Sequence, residues 1–376
     1  MISMRMFPGT DIKTSAFGMG CMRFPMLDQE NHPIDRAEAT RMIHAAIEKG
    51  VTYFDTAYGY HNGESEVAVG EALRGGWREK ITLTTKLPVW LVEKYEDMER
   101  LLDEQLARLQ TDHVDFYLLH ALNRDSWNKV RDLGALRFLD DMQKKGKIRY
   151  PGFSFHDKFD VFVDILNAYD WKLAQVQMNI MDENNQATME GIRLAGEKGV
   201  GIVIMEPLRG GSLARTPEDV QAVYDAFETK RSPVEWAFRY LYDRPEVITI
   251  LSGVSTMEQL EDNIRIFADA QANCMNEAEK KLICTVRETY LSRMKVGCTG
   301  CEYCIPCPKG VRIPRIFRSY DESLIYNNPD AFKGYYEKLK ADGVDAAQCV
   351  QCGKCEKLCP QHIHIREQLK AIAEVF

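Results

Sequence analysis

The chain has 376 residues, about two domains by length, and its 45% hydrophobic and 28% charged content is ordinary for a water-soluble globular protein. A formal net charge of −8 argues against a protein that grips nucleic acid through a basic surface. No apolar run reaches the ~18 residues of a membrane span, and the start, MISMRMFPGTDIKTSAF, lacks the charged-then-apolar layout of an export signal, so a cytoplasmic protein with neither a nucleic-acid nor a membrane partner is expected.

Residues 1–270 alternate short apolar or β-branched runs with helix-like stretches. The runs are SAFGMG (15–20), VTYFDT (51–56), ITLTTK (81–86), DFYLLH (115–120), IRYPGFS (148–154), LAQVQM (173–178), GIVIME (201–206) and VITILS (247–252). Between them, DRAEATRMIHAAIEKG (35–50) closes on Lys49-Gly50, a helix stop. In YEDMERLLDEQLARLQ (95–110), Met98, Leu101, Leu102, Leu106 and Leu109 mark one apolar face at helical period. Eight strands, most followed by a helix, predict an α/β fold of (β/α)8 TIM-barrel type. The competing open, doubly wound sheet usually shows a glycine-rich phosphate loop after its first strand; here Gly18-Met19-Gly20 is a lone GxG that opens no helix. Residues 271–295 read as a helical linker. Residues 296–376 read as a small, mainly α-helical iron–sulfur unit, with DAFKGYYEKLKADG (330–343) at helix-compatible spacing.

Eight of the eleven cysteines lie within residues 298–359. In a chain without an export signal, that density means metal or redox chemistry rather than disulfides. The clusters read Cys298-x2-Cys301-x2-Cys304-x2-Cys307-Pro308 and Cys349-x2-Cys352-x2-Cys355-x3-Cys359-Pro360. The second is the bacterial ferredoxin spacing, in which three thiolates curl around one cubane and the fourth reaches the other cluster. Two [4Fe–4S] clusters follow, one on Cys298, Cys301, Cys304 and Cys359, the other on Cys349, Cys352, Cys355 and Cys307. The first run is one residue short before its last cysteine, which leaves the partner of Cys307 open. Structural zinc, the alternative, prefers two CxxC halves across a wide gap. Cys21, Cys274 and Cys284 fall outside the pattern and read as plain buried residues, and His362 and His364 as surface or packing residues.

Catalytic residues of a barrel sit at the C-terminal ends of its strands. Those ends carry Asp55, with Tyr60 five residues on, then Lys86 and His120. A phenol is a poor acid at neutral pH, with an ordinary pKa of about 10. A neighbouring Lys86 ammonium would lower it, Asp55 would hold that ammonium in place, and His120 would orient a carbonyl oxygen. Singly, each has a plainer reading as a helix cap, a loop aromatic or a structural ion pair; jointly, at three successive strand ends, they point to protonation of a carbonyl oxygen while hydride arrives at carbon.

GMGCMRFP (18–25), YFDTAYGY (53–60) continuing into HNGESEVAVGEAL (61–73), TKLP (85–88), VDFYLLH (114–120) and GFS (152–154) together resemble the aldo-keto reductase superfamily, and the tail resembles its branch with a C-terminal 4Fe–4S ferredoxin-type domain. The resemblance implies an Asp-Tyr-Lys-His tetrad at Asp55, Tyr60, Lys86 and His120. It implies nicotinamide contacts from Ser154 and Gln175, with Phe155 where the family has Asn and Met205 where it has a stacking aromatic. Gly20, Leu208 and Gly210 would lie along the dinucleotide, with Ser255, Gln259 and Asn263 at the adenosine end. Gly253 and Gln259 stand where many members carry basic residues for the 2′-phosphate, with Arg265 and Arg209 nearby to compensate, so both NADPH and NADH are expected cofactors. Independently of the resemblance, Arg23 and Trp90 follow the first and third barrel strands and are expected at the mouth as substrate contacts, Arg23 to hold a carboxylate or phosphate or else to pair with an acidic loop residue, and Trp90 as a pocket wall or a packing residue.

The expected function is NAD(P)-dependent interconversion of a small-molecule carbonyl and its alcohol, with Tyr60 as general acid/base. The clusters would exchange electrons with a ferredoxin or other electron carrier, sense redox state, or brace their domain. The alternatives are an electron-transfer protein whose barrel does not perform nicotinamide-dependent reduction, and a flavin-using reductase.

Overall fold

The computed structural model describes residues 1–28 and 33–376. Two compact units emerge, one of residues 1–210 and 234–276, the other of residues 211–233 and 277–376.

The first unit starts with an antiparallel hairpin, β1 (Met4–Met6) and β2 (Lys13–Ser15), in which Met4 opposes Ser15. The barrel strands are β3 (Phe17–Gly20), β4 (Tyr53–Asp55), β5 (Thr82–Leu87), β6 (Val114–Leu122), β7 (Ile148–Phe155), β8 (Leu173–Gln177), β9 (Gly201–Met205) and β10 (Val247–Ser252). They pair in chain order, all parallel, and β10 returns to β3 to close the barrel. Their near-continuous apolar character follows from burial on both faces. Helices α1 (Arg36–Glu48), α2 (Glu64–Ala72), α3 (Tyr95–Leu109), α4 (Arg124–Asp132), α5 (Ala135–Lys144), α6 (Phe159–Asn167) and α7 (Thr188–Glu197) fill the connections up to β9. Helix α1 starts where Asp35 accepts a hydrogen bond from the Glu38 amide at 3.0 Å, and α3 buries the five apolar residues its period marks.

The hairpin is too short for alternation to announce it in the sequence, yet it decides which end of the barrel is open. Phe7, fully buried, follows β1 and packs its ring 4.6 Å from that of Phe116 and 6.0 Å from that of Tyr53. A Cβ on Gly201 would come within 2.5 Å of the Phe7 ring, so glycine there makes room for the plug. Tyr53 and Gly201 begin their strands. The N-terminal end is thereby filled, and the other end carries the polar residues.

Residues 211–233, which the sequence places inside the barrel segment, carry α8 (Glu218–Ala226), which packs on α11 of the second unit. Helices α9 (Pro233–Tyr242) and α10 (Met257–Ile266) complete the barrel. In the second unit α11 (Glu277–Ser292) occupies the expected linker; Arg293, just beyond it, pairs with Asp219 at 2.8 Å and Arg231 with Glu279 at 2.9 Å. Then follow α12 (Ile313–Ile325), α13 (Pro329–Ala341), α14 (Lys354–Leu358) and α15 (Ile365–Val375). Ile316, Phe317, Phe332, Tyr336 and Leu369 form the core of this unit, against which the cysteine loops pack. The buried carboxylate of Asp321 accepts from the amides of Lys295, Val296 and Gly297 at 2.9–3.0 Å, fixing the chain just before Cys298. Among the described residues no helix is long and apolar enough to cross a membrane.

Candidate active site

Three neighbouring strands bring the predicted tetrad together. The fully buried Lys86 ammonium donates to Asp55 Oδ1 at 2.7 Å, to the Thr56 carbonyl at 2.8 Å and to the Tyr60 hydroxyl at 3.3 Å. The His120 ring stands edge-on to Tyr60 with centroids 6.1 Å apart, and Trp90, half exposed, lies 5.2 Å from His120. Burial would lower the Lys86 pKa, but Asp55 and Tyr60 hold it above its ordinary value, so Lys86 is a cation. Burial raises Asp55, and Lys86 pulls it back. The expected lowering of Tyr60 meets a larger opposing effect: burial raises the phenol, while Lys86 draws it down, so the net direction in the free protein is upward. Burial, then the Lys86 charge, then His156, push His120 well below its ordinary value, which makes it a neutral imidazole at pH 7.

Among the described residues His120 Nδ1 and Gln175 Oε1 are buried without a hydrogen-bond partner, and Asp55 Oδ2 has none of good geometry, although the Gln175 amide stands near enough to draw the carboxyl pKa down. Polar atoms buried in this way normally have a partner. These three lie at or near the ends of β4, β6 and β8, where a ligand carrying both donors and acceptors would complete them. A nicotinamide carboxamide together with a carbonyl substrate has that chemistry.

The other predicted contacts divide. The Ser154 hydroxyl accepts from the Ala121 amide at 2.7 Å, and Gln175 Nε2 lies 4.0 Å from Met205 Sδ, so Ser154, Gln175 and Met205 share the barrel mouth. Phe155 is buried with its ring 5.2 Å from Phe162 of α6. Leu208 is half-buried beyond β9, Gly210 has a φ of +66°, and a Cβ on Gly20 would sit 3.5 Å from the Ser252 carbonyl. At the adenosine end Gln259 Oε1 accepts from the Ser255 amide at 2.9 Å, while Asn263 is buried and donates to Ser252 at 2.9 Å. The two arginines expected to compensate for missing bases are taken: Arg265 pairs with Asp262 at 2.8 Å and Glu235 at 3.1 Å, and Arg209 pairs with Asp182.

Two further groups stand near the tetrad: Cys21, expected as a plain buried residue, and His156, which the sequence did not single out. Cys21 is fully buried, and the Asp55 charge reinforces burial in pushing its thiol up. His156, whose charged form would disfavour that of His120, lies two residues past Ser154. That is the same-face spacing of a strand, the one signal in the sequence that could have found it. Of the remaining cysteines outside the clusters, Cys274 is half-buried and Cys284 is exposed, against the expectation that both are buried, because Cys284 falls on the outer face of α11. His362 and His364 are exposed, as expected.

In the second unit the cysteines line two cavities. Cys298, Cys301, Cys304 and Cys359 share one with Ile313, Phe317 and Ile365. Cys307, Cys349, Cys352 and Cys355 share the other, which Cys304 also borders. Burial, together with the neighbouring Cys301 and Cys359, raises the Cys298 thiol. Four sulfurs ringing an apolar cavity suit a cluster of iron and sulfide, which spreads its charge over several thiolates.

A model described as the aldo/keto reductase family matches residues 16–280, and one described as a 4Fe-4S dicluster domain matches residues 297–364. An NADH-specific methylglyoxal reductase of Escherichia coli strain K12 is 24% identical over 331 residues, 73% of this chain and 97% of that one. An L-galactose dehydrogenase of Arabidopsis thaliana is 23% identical, over 73% of this chain and 91% of that one. A holo-form aldo-keto reductase structure from Bacillus halodurans superposes with a TM-score of 0.64 at 25% identity, covering 76% of this chain and 96% of that one.

Proposed function

The chain belongs to the aldo/keto reductase family of oxidoreductases and carries a C-terminal 4Fe–4S dicluster domain, and from that premise we propose that its barrel interconverts a small aldehyde or ketone and the corresponding alcohol with a nicotinamide dinucleotide, Tyr60 being the general acid/base. The observation that carries the reading is the Lys86 ammonium held between Asp55 Oδ1 and the Tyr60 hydroxyl. Ser154, Gln175 and Met205 would hold the nicotinamide, which when bound supplies or accepts the hydride.

The residues then have separate tasks. In the reducing direction Tyr60 gives its proton to the carbonyl oxygen as hydride reaches the carbon. Lys86 stabilises the phenolate left behind, and Asp55 keeps that lysine charged and in place. His120, neutral, has one N–H to offer the same oxygen and brings no second charge into the pocket. Trp90 provides an apolar wall beside His120. Because Arg265 and Arg209 already face carboxylates, and Gly253 and Gln259 carry no charge, the adenosine end favours NADH over NADPH.

The eight cysteines would hold two [4Fe–4S] clusters, in a grouping that the cavity linings support although Cys304 borders both. A second reading, in which the barrel works together with a one-electron carrier such as a ferredoxin, is favoured by the dicluster domain itself, since hydride transfer from a nicotinamide needs no one-electron carrier. The test is oxidation of NADH and NADPH by anaerobically purified protein with short aldehydes and ketones. Turnover that stops in Tyr60→Phe supports the first reading. Nucleotide oxidation that requires a one-electron acceptor and ignores carbonyls supports the second.

A further inference from the structure

Arg23 stands three residues beyond β3, and its surroundings differ from those expected of a substrate contact. Its carbonyl accepts a hydrogen bond from the Ser255 hydroxyl at 2.8 Å, which ties it to the loop after β10. Its aliphatic stem lies across Gly253: a Cβ on that glycine would come within 3.0 Å of Arg23 Cδ and 3.2 Å of Cγ. Its Nη2 lies 3.6 Å from the place a Gly210 Cβ would take. The side chain therefore runs from the loop leaving β10, where its stem lies, to the loop leaving β9, beside which its guanidinium ends; these strands are barrel neighbours, with β10 also pairing with β3. It is exposed, and no carboxylate among the described residues pairs with it, whereas Arg209 and Arg265 are both committed.

Those two loops have separate duties in the proposed function. The one from β9 follows Met205 on the nicotinamide side, and the one from β10 leads to Ser255, Gln259 and Asn263 on the adenosine side. A dinucleotide spanning them places its diphosphate between. We propose that Arg23 is the residue that binds the diphosphate of the dinucleotide, with Gly210 and Gly253 kept free of side chains so that the guanidinium and the phosphates can meet. A planar guanidinium gives paired hydrogen bonds to phosphate oxygens that an ammonium does not. Gly253 serves this arrangement sterically, because any side chain there would displace the Arg23 stem.

The inference rests on the nicotinamide reading of the barrel, and the probe separates the two. ADP-ribose carries the diphosphate and the adenosine but no nicotinamide. It is titrated by calorimetry against the full-length, cluster-loaded protein, in parallel with NADH. Arg23→Ala weakens ADP-ribose and NADH alike by about 10- to 100-fold, the loss of a charge-assisted hydrogen-bonded contact. Arg23→Lys recovers only part of that. Gly253→Ala, which leaves Arg23 in the chain but crowds its stem, weakens ADP-ribose in the same direction with unchanged iron content. The KM values for a neutral aldehyde and for a carboxylate-bearing aldehyde stay in the same ratio. Unchanged ADP-ribose affinity in Arg23→Ala, with a KM raised only for the carboxylate-bearing aldehyde, overturns the inference and returns Arg23 to the substrate. A wild-type protein that binds neither ADP-ribose nor NADH overturns the nicotinamide reading, and this inference with it.

Discussion

Gln105 of α3 donates from Nε2 to the backbone carbonyl of Lys86 at 3.0 Å, so a buried helix side chain grips the strand residue that carries the site's cation. The same amide reaches Glu66 Oε1 at 2.6 Å, Glu66 accepts from Thr85 at 2.6 Å, and Tyr117 donates to Gln105 Oε1 at 2.7 Å. Both Glu66 and Gln105 are fully buried. A satisfied polar network of this kind holds one backbone position against alternatives. Gln105→Leu is expected to lower kcat about tenfold and change the nucleotide KM less than twofold, because the loss falls on Lys86 placement rather than on binding. A purely structural role would lower Tm and leave kcat of the folded fraction unchanged.

Tyr60→Phe keeps the ring and removes the proton. Carbonyl reduction should fall by about 10³-fold or more, while NADH affinity stays within about twofold, since nothing proposed for the nucleotide passes through the hydroxyl. Activity that survives would assign the proton to another group.

His120 makes stability depend on pH with a definite sign. Its folded pKa lies well below the value near 6.5 of an unfolded chain. Between those values the unfolded state binds the proton and the folded state does not, so stability is full above about pH 6.5 and falls as the pH drops through it. In His120→Asn that contribution disappears. The Tm of the wild type should therefore fall further than that of the variant between pH 7.5 and 5.5, at iron contents matched before heating. Parallel curves would mean that His120 binds its proton equally well in the folded and unfolded chain, against the lowering by burial.

The cavity linings make the cysteine grouping testable by one residue remote in sequence from its partners. Cys359→Ser should disturb the cluster site of Cys298, Cys301 and Cys304 and spare that of Cys349, Cys352 and Cys355, so about half of the iron and its visible absorbance is lost. Cys307→Ser should do the converse. If Cys359→Ser instead removes the signal of the cluster bound by its near neighbours Cys349, Cys352 and Cys355, the crosswise grouping is wrong.

Legibility in the sequence followed the range of the forces involved. Strands β3 to β10 were readable because burial on both faces leaves unbroken apolar runs, and α3 because Met98 to Leu109 repeat at helical period. The cysteine runs were readable because the ligands of one cluster must lie within a few residues of one another. Asp55, Lys86 and His120 were readable because a barrel turns the C-terminal ends of its strands into a common mouth. The β1–β2 hairpin was not readable, since three-residue strands show no period, and neither was the grouping of residues 211–233 with the second unit, which depends on α8 meeting α11.

The order of elements, the residue types at the strand ends and the spacing of the thiols are all properties of short stretches of chain, and local pattern was enough to read them. Which charges are spent was settled by the assembled fold: Arg265 and Arg209 are paired with carboxylates, the Arg23 stem lies across Gly253 with its guanidinium near Gly210, and Tyr60 is raised by burial more than Lys86 lowers it. Desolvation and pairing depend on what the whole fold brings within a few ångströms, and residues 23, 210 and 253 meet only when the barrel has closed.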